Sequence, residues 1–256
     1  FEPFSRRFAR KIGLLAVTSL NLLDRVHTKI YKITYSESIK KVLNTSFSSR
    51  DEREANVEQN RRNGIPTRVL GSTGVRVTII GVGGYHIGKG DADLGVRIIR
   101  EAIDEGINFL DNAWCYNDGD SERIMGRALQ GGYRDKVFLM TKNHGRDAET
   151  YREQLEESLR RLGTDYIDLV QFHAINQKGE PERIFSEGAI EEAVRARNEG
   201  KIRYIGFTGH RWPDLFEEML AYDFDWDTVQ MPINLLDAHF RSFAGQILPT
   251  LLERDI

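Results

Sequence analysis

Between residues 66 and 256, short apolar runs alternate with amphipathic stretches, and this alternation constrains the fold more than any other feature of the chain. The runs at 78–83, 108–113, 137–141, 167–172, 202–207 and 228–232 have the length and apolar content of strands buried on both faces. The stretches at 94–105, 121–129, 150–162, 190–198, 213–222 and 243–254 read as helices. In the third of these, Leu155, Leu159 and Leu162 fall on one face, with Arg and Glu elsewhere. Gly106, Gly131, Gly163 and Gly200 stand where helices have to stop. Ahead of the series, 68–70 and 75–77 flank Gly71-Ser72-Thr73-Gly74 and read as a β-hairpin.

Apolar strands alternating with helices build a parallel sheet covered by helices. An open doubly wound sheet would carry Gly-x-Gly-x-x-Gly opening the first helix. Here Gly81-Val82-Gly83-Gly84 runs into Tyr85 and His86, and Gly88 and Gly90 are spaced too loosely. The expected class is therefore α/β, a (β/α)8 TIM barrel preceded by an N-terminal β-hairpin, with about six of the eight strand–helix units. The chain is expected to stop two units short, at Ile256, leaving the edge of the sixth strand open and the isolated chain prone to association. Residues 1–65 read as an N-terminal extension or linker, because 46–63 is dominated by Ser, Asn, Arg, Asp and Glu, and residues 66–256 read as the partial barrel.

A formal net charge of −3 gives no electrostatic reason to expect nucleic acid as a partner. Cys115 is the only cysteine, so no internal disulfide can form, which fits a cytoplasmic location. No apolar run reaches the ~18 residues of a membrane span. Arg6-Arg7 and Lys11 precede the apolar stretch 12–23, which Thr18, Ser19 and Asn21 interrupt. This start reads as an amphipathic helix or basic leader; the alternative is export through a leader like a twin-arginine signal, suggested by Ser5-Arg6-Arg7-Phe8.

Catalytic groups of a parallel barrel gather at the C-terminal ends of its strands. There the sequence puts Asp111 and Tyr116, then Lys142, then His173, from three adjacent strands. Each alone has an ordinary structural reading: a cap or salt-bridge partner, a packed aromatic, a snorkelling lysine, a core histidine. Together they have a chemical logic. Reducing a carbonyl by hydride transfer needs a proton donor, and a tyrosine with a pKa of about 10 is a weak acid at neutral pH. A lysine cation within hydrogen-bond reach of both phenol and carboxylate is expected to lower that pKa, and a histidine to orient the substrate oxygen.

Five segments in order resemble the aldo-keto reductase family. Leu70-Gly71-Ser72-Thr73-Gly74 through Ile80-Gly81-Val82-Gly83 resembles its opening hairpin and first strand. Asp111-Asn112-Ala113-Trp114-Cys115-Tyr116 resembles its Asp-x-Ala-x-x-Tyr segment. Val137-Phe138-Leu139-Met140-Thr141-Lys142 resembles the strand carrying its lysine, and Asp168-Leu169-Val170-Gln171-Phe172-His173 the strand carrying its histidine. Leu159 to Asp168 resembles the segment before that fourth strand.

The resemblance implies reduction of an aldehyde or ketone with NADP or NAD, or the reverse oxidation of an alcohol. It implies Tyr116 as general acid, Lys142 as its tuner, Asp111 as the lysine's partner and His173 as the orienting group. Gly84, Tyr85, Asp111, Thr208 and Gln230 would bind the cofactor around its nicotinamide, although Gly209-His210 stands where the family often has Asn. His86, Trp114 and Trp212 are expected to line the mouth for a small carbonyl substrate, and no metal is required. Gly206 to His210 and Gln230 to Asn234 look like a bacterial branch whose members can carry a C-terminal iron–sulfur segment. In the family the last two units grip the cofactor's phosphates, so weak dinucleotide binding is expected of the isolated chain.

Two other readings use the same residues. His86, Asp111, His144, His173 and His210 all fall at or beyond strand ends and would suit a metal-dependent hydrolase barrel. That reading leaves Tyr116 and Lys142 without roles. A nucleotide-sensing regulatory subunit on the same fold would keep the residues and dock to a partner.

Overall fold

The computed structural model describes residues 61–234, 236 and 240–256. The leader and residues 1–60 of the expected extension lie outside the described residues. Among the described residues the chain opens with three short strands, β1 Arg61–Arg62, β2 Ile65–Val69 and β3 Arg76–Thr78. They form an antiparallel sheet in which Thr67 faces Thr78 and Val69 faces Arg76. The turn between β2 and β3 is a 3-10 helix at Gly71–Thr73, closed by Gly74 in the left-handed region at φ 69°. The hairpin read from 68–77 is present; β1 is an addition that the two-residue run Arg61–Arg62 did not advertise.

Six parallel strands follow in sequential order, and with their helices they are strand–helix units of a (β/α)-barrel. They are β4 Val82–Gly83, β5 Phe109–Asp111, β6 Phe138–Asn143, β7 Ile167–Phe172, β8 Ile202–Thr208 and β9 Thr228–Gln230. The helices between them are α1 Gly84–Ile87, α2 Ala92–Asp104, α3 Asp120–Leu129, α4 Ala148–Leu162, α5 Glu180–Ser186, α6 Ala189–Asn198 and α7 Pro213–Ala221. After β9 come α8 Phe243–Gln246 and α9 Leu248–Glu253.

Two expectations change, and one helix is an addition. The run 78–83 is split between two sheets and contributes only Val82–Gly83 to the parallel one. The cause is local pairing. Ile79 N–H still donates to Pro66 O in the hairpin (3.0 Å), and the Thr78 hydroxyl turns the chain by donating to Ile80 O (2.7 Å). The last helix is two short helices rather than one over 243–254, with Pro249 in the first turn of the second, where a missing N–H costs nothing. Helix α5 was not read, since residues 180–186 carry three charged side chains and a proline in one short segment.

Strand side chains alternate between faces, and that period sorts the interior. Leu110, Leu139, Val170, Phe172, Ile205 and Phe207 join the main core, packed with Leu155, Leu159 and Leu162 of α4 and with Phe216 and Met219 of α7. Val77, Phe138, Met140 and Leu169 form a second, smaller core, with Leu70, Val75, Phe109 and Tyr204 packed against it. The inner face is thus apolar at its N-terminal end, where the hairpin covers it. The Tyr204 hydroxyl fixes that cover by donating to Thr73 O (3.0 Å).

Candidate active site

The same alternation carries the inner face onward to polar residues. Two positions beyond Phe109, Met140 and Leu169 the inward side chains are Asp111, Lys142 and Gln171; His173 lies one step further, and on β8 Thr208 follows Tyr204 across Gly206. Pairing across the sheet sets Asp111 beside Met140, Lys142 beside Gln171 and Thr208 beside Gln230. The C-terminal rim holds a cleft of about 290 Å³, lined by Asp111, Tyr116, Lys142, His173, Thr208, Gly209, His210, Gln230, Met231 and Pro232.

Lys142 is the buried centre of this group. Its ammonium donates to the Asp111 carboxylate and to Asn112 O (2.8 Å). The other Asp111 oxygen accepts from Gln230 Nε2 at 2.9 Å. The Lys142 ammonium stands 5.1 Å from the centroid of the Tyr116 ring. The expected hydrogen bond from Lys142 to the Tyr116 hydroxyl does not form among the described residues, because the Asp111 carboxylate and the Asn112 carbonyl take the ammonium instead.

The tyrosine is not the acidified phenol that a free lysine cation would give. Burial, and then the Asp111 carboxylate, push its pKa up to about 12. Tyr116 is therefore a neutral phenol throughout the physiological range. His173, nine-tenths buried, is pushed the other way, to about 2, by burial and then by the positive charges of Lys142, His144, Arg146 and His210. It is a neutral imidazole at neutral pH, able to donate from one ring nitrogen and accept at the other.

The loops that aim these side chains are held in costly backbone conformations. Asn117 and Asp118 adopt φ 52° and 53° directly after Tyr116, a left-handed pair that Asn and Asp tolerate better than other residues. Asn117 Nδ2 anchors that turn on Tyr85 O at 2.8 Å. Ala174, directly after His173, has φ 56°. Arg146 clamps the turn by donating to His173 O at 2.6 Å while pairing with Glu180. Strained backbone of this kind persists only where its surroundings hold it.

Of the residues expected on the nicotinamide, Tyr85 stands edge-on to the Tyr116 ring at 5.3 Å, and Thr208 and Gln230 line the cleft. Gln230 Oε1 is buried with no hydrogen-bond partner among the described residues. Gly84 has a structural reason of its own, since a Cβ there would lie 2.5 Å from Ser121 Oγ and 2.6 Å from Asn112 Oδ1. His86 touches Tyr85, edge-on at 5.3 Å, outside the cleft lining. Trp114 is not brought to the cleft: its indole N–H donates to Glu157 at 2.7 Å and Arg161 covers its ring, both from α4. Trp212 is covered by Arg241 at 3.8 Å. Among the described residues the five groups His86, Asp111, His144, His173 and His210 do not make a ligand cluster; the three that converge are Cys115, His144 and His173.

Comparison with known proteins gives this geometry its context. Residues 79–256 match the model of the Aldo/keto reductase family. L-galactose dehydrogenase of Arabidopsis thaliana is 36% identical over 157 residues, covering 57% of this chain and 49% of that protein. NADH-specific methylglyoxal reductase of Escherichia coli is 33% identical over 216 residues, covering 73% of this chain and 64% of that protein. An aldo/keto reductase of Klebsiella pneumoniae, solved with NADP and acetate, superimposes with a TM-score of 0.61 at 27% identity, over 73% of this chain and 64% of that one. The matched segments thus span about half to two thirds of these relatives. With a family model matched over more than half its length and a strand order that follows the sequence, the chain belongs to the aldo/keto reductase family.

Proposed function

We propose that residues 66–256 are the catalytic part of a nicotinamide-dependent oxidoreductase that reduces an aldehyde or ketone, and in reverse oxidises an alcohol. The observation that carries this reading is the meeting of Asp111, Tyr116, Lys142 and His173 in one cleft at the C-terminal rim. Gln230 Oε1, without a hydrogen-bond partner among the described residues, fits an amide donor such as the nicotinamide carboxamide; Thr208 in the same cleft and Tyr85, edge-on to Tyr116, are its further contacts in this reading. The cofactor, NADP or NAD, would supply the hydride. Both have precedents in the family: the Klebsiella structure holds NADP, and the E. coli enzyme is named for NADH.

Tyr116 is the proton donor in this reading. A neutral phenol at the cleft wall can hydrogen-bond a carbonyl oxygen and pass its proton as the alkoxide develops. The Lys142 charge, held by Asp111, lies 5.1 Å from the ring centroid and stabilises the phenolate left behind. The neutral His173 orients the substrate oxygen by donating a hydrogen bond without competing as an acid. The cleft takes a small carbonyl compound; its lining from Met231 and Pro232 adds apolar surface.

Tyr116→Phe in the whole protein tests this assignment. Turnover should fall by about 10²–10⁴-fold while dinucleotide affinity stays within about threefold, because only the donor is removed. Unchanged turnover would exclude Tyr116 as the acid. A wild-type protein that binds NADPH or NADH yet reduces none of a panel of small aldehydes and ketones would favour a nucleotide-sensing role.

A further inference from the structure

We propose that Cys115, His144 and His173 form a three-ligand site for one borderline-soft divalent cation of the zinc type, set on the rim beside the reaction cleft. Each residue follows a different strand. Cys115 lies four residues beyond β5, His144 directly after β6 and His173 directly after β7. Consecutive strands of a parallel sheet put these positions side by side, so the cluster follows from the topology.

The distances suit a metal. Cys115 Sγ lies 3.1 Å from His144 Nε2 and 3.6 Å from His173 Nδ1, and the three ligand atoms all lie within 4.8 Å of one another. Zinc bonds of about 2.3 Å to sulfur and about 2.0–2.1 Å to nitrogen put tetrahedral ligand atoms roughly 3.3–3.6 Å apart. Both sulfur–nitrogen pairs are already close to that range, and closing the shell asks the two imidazole nitrogens, within 4.8 Å of each other, to draw together. The two imidazoles are already neighbours, with ring centroids 4.5 Å apart.

The supports behind the ligands are fixed. The His144 backbone N–H donates to Gln154 Oε1 (2.8 Å) and the His173 backbone N–H to Asn143 O (2.8 Å). The nearest cations, Lys142 and Arg146, are paired with Asp111 and Glu180, which offsets part of the charge they present to an incoming ion. Two neutral imidazoles and one thiol leave the fourth tetrahedral position open, as in catalytic rather than structural zinc sites. Binding is balanced by release of one proton: the Cys115 thiol becomes a thiolate, and both imidazoles enter without losing a proton.

One consequence reaches the reaction. With Nδ1 of His173 on the metal, the ring is fixed as the Nε2–H tautomer, the form able to donate toward a substrate. This consequence rests on the role proposed for His173 above; the metal site itself does not.

The test is titration of the whole, chelator-treated protein with Co²⁺, followed by displacement with Zn²⁺. One equivalent should bind with a thiolate-to-cobalt charge-transfer absorption and the visible bands of a tetrahedral ion. Cys115→Ser should abolish the charge-transfer band, and Cys115→Ser and His144→Gln should each weaken affinity at least tenfold, with circular dichroism reporting that the variants fold. If His144→Gln does not fold, the Cys115→Ser result decides alone. Cobalt binding without thiolate absorption, or at the same affinity in Cys115→Ser, overturns the site. Measuring turnover in parallel separates the two readings: a bound metal with wild-type spectroscopy and no effect on turnover leaves the site standing and removes the tautomer role of His173.

Discussion

At the scale of single residues the Asp111–Lys142 pair decides most. The Lys142 side chain is 4% exposed, and Asp111 is its one carboxylate partner among the described residues. Removing that partner leaves a buried ammonium with only the Asn112 carbonyl. Asp111→Ala should therefore cost about 2 kcal/mol or more in a denaturant titration, discounted from the fully buried case because the Asp111 side chain is 22% exposed. Adding Lys142→Met removes the stranded charge, so the double variant should regain part of that loss while turnover stays near zero. If the double variant is no more stable than Asp111→Ala, the pair is not coupled in stability. Lys142 and His173 were legible in the sequence because each ends an apolar strand in the phase of its inner face. The Lys142 contact with the Asn112 carbonyl was not, since backbone direction is absent from residue spacing. Nor was the Cys115–His144 contact, which spans two loops.

Elements tell a similar story through their ends. Helix α4 begins at Asp147, whose carboxylate accepts from Thr150 N–H and from the Thr150 hydroxyl, both at 2.8 Å. Those bonds hold its pKa below the ordinary 3.8. A depressed carboxylate stabilises the fold above its unfolded pKa, and the contribution is lost as pH falls through the folded value. Asp147→Ala should cost about 1 kcal/mol near neutrality, and the part of its deficit that comes from the carboxylate charge should be lost as pH falls from 3.8 through the lower folded value. Asp147→Asn keeps the acceptor and should lose much less. A deficit independent of pH would mean that the carboxylate charge plays no part. The pattern that revealed α4 also revealed 167–172 as a strand, which the structure reproduces as Ile167–Phe172. It failed at 78–83 because the hydrogen bond from Ile79 N–H to Pro66 O keeps the start of that run with the hairpin. It failed at 243–254 because apolar period alone does not register the break at Ile247 before Pro249.

Across the whole barrel, one buried carboxylate ties the sheet at the end opposite the reaction cleft. Asp168, near the start of β7, accepts from Arg134 (2.7 Å), from Leu139 N–H of β6 (2.9 Å) and from Arg203 of β8 (3.0 Å). Its side chain is 4% exposed. Asp168→Ala strands Arg134 and a strand N–H, and should cost about 3 kcal/mol with kcat and KM of the folded protein unchanged. A change in KM would mean that this end reports to the cleft. Above it, the hairpin lies against Phe138, Met140 and Leu169, and the Tyr204 hydroxyl secures it to Thr73. The inner face of the six-stranded sheet is therefore stoppered with greasy side chains at its N-terminal end and polar at the other. On the function proposed above, a substrate would come to the C-terminal rim with its reactive end leading and its tail in bulk water. Length at the tail would then cost it little, whereas girth at the head would be measured against Tyr116 and His173.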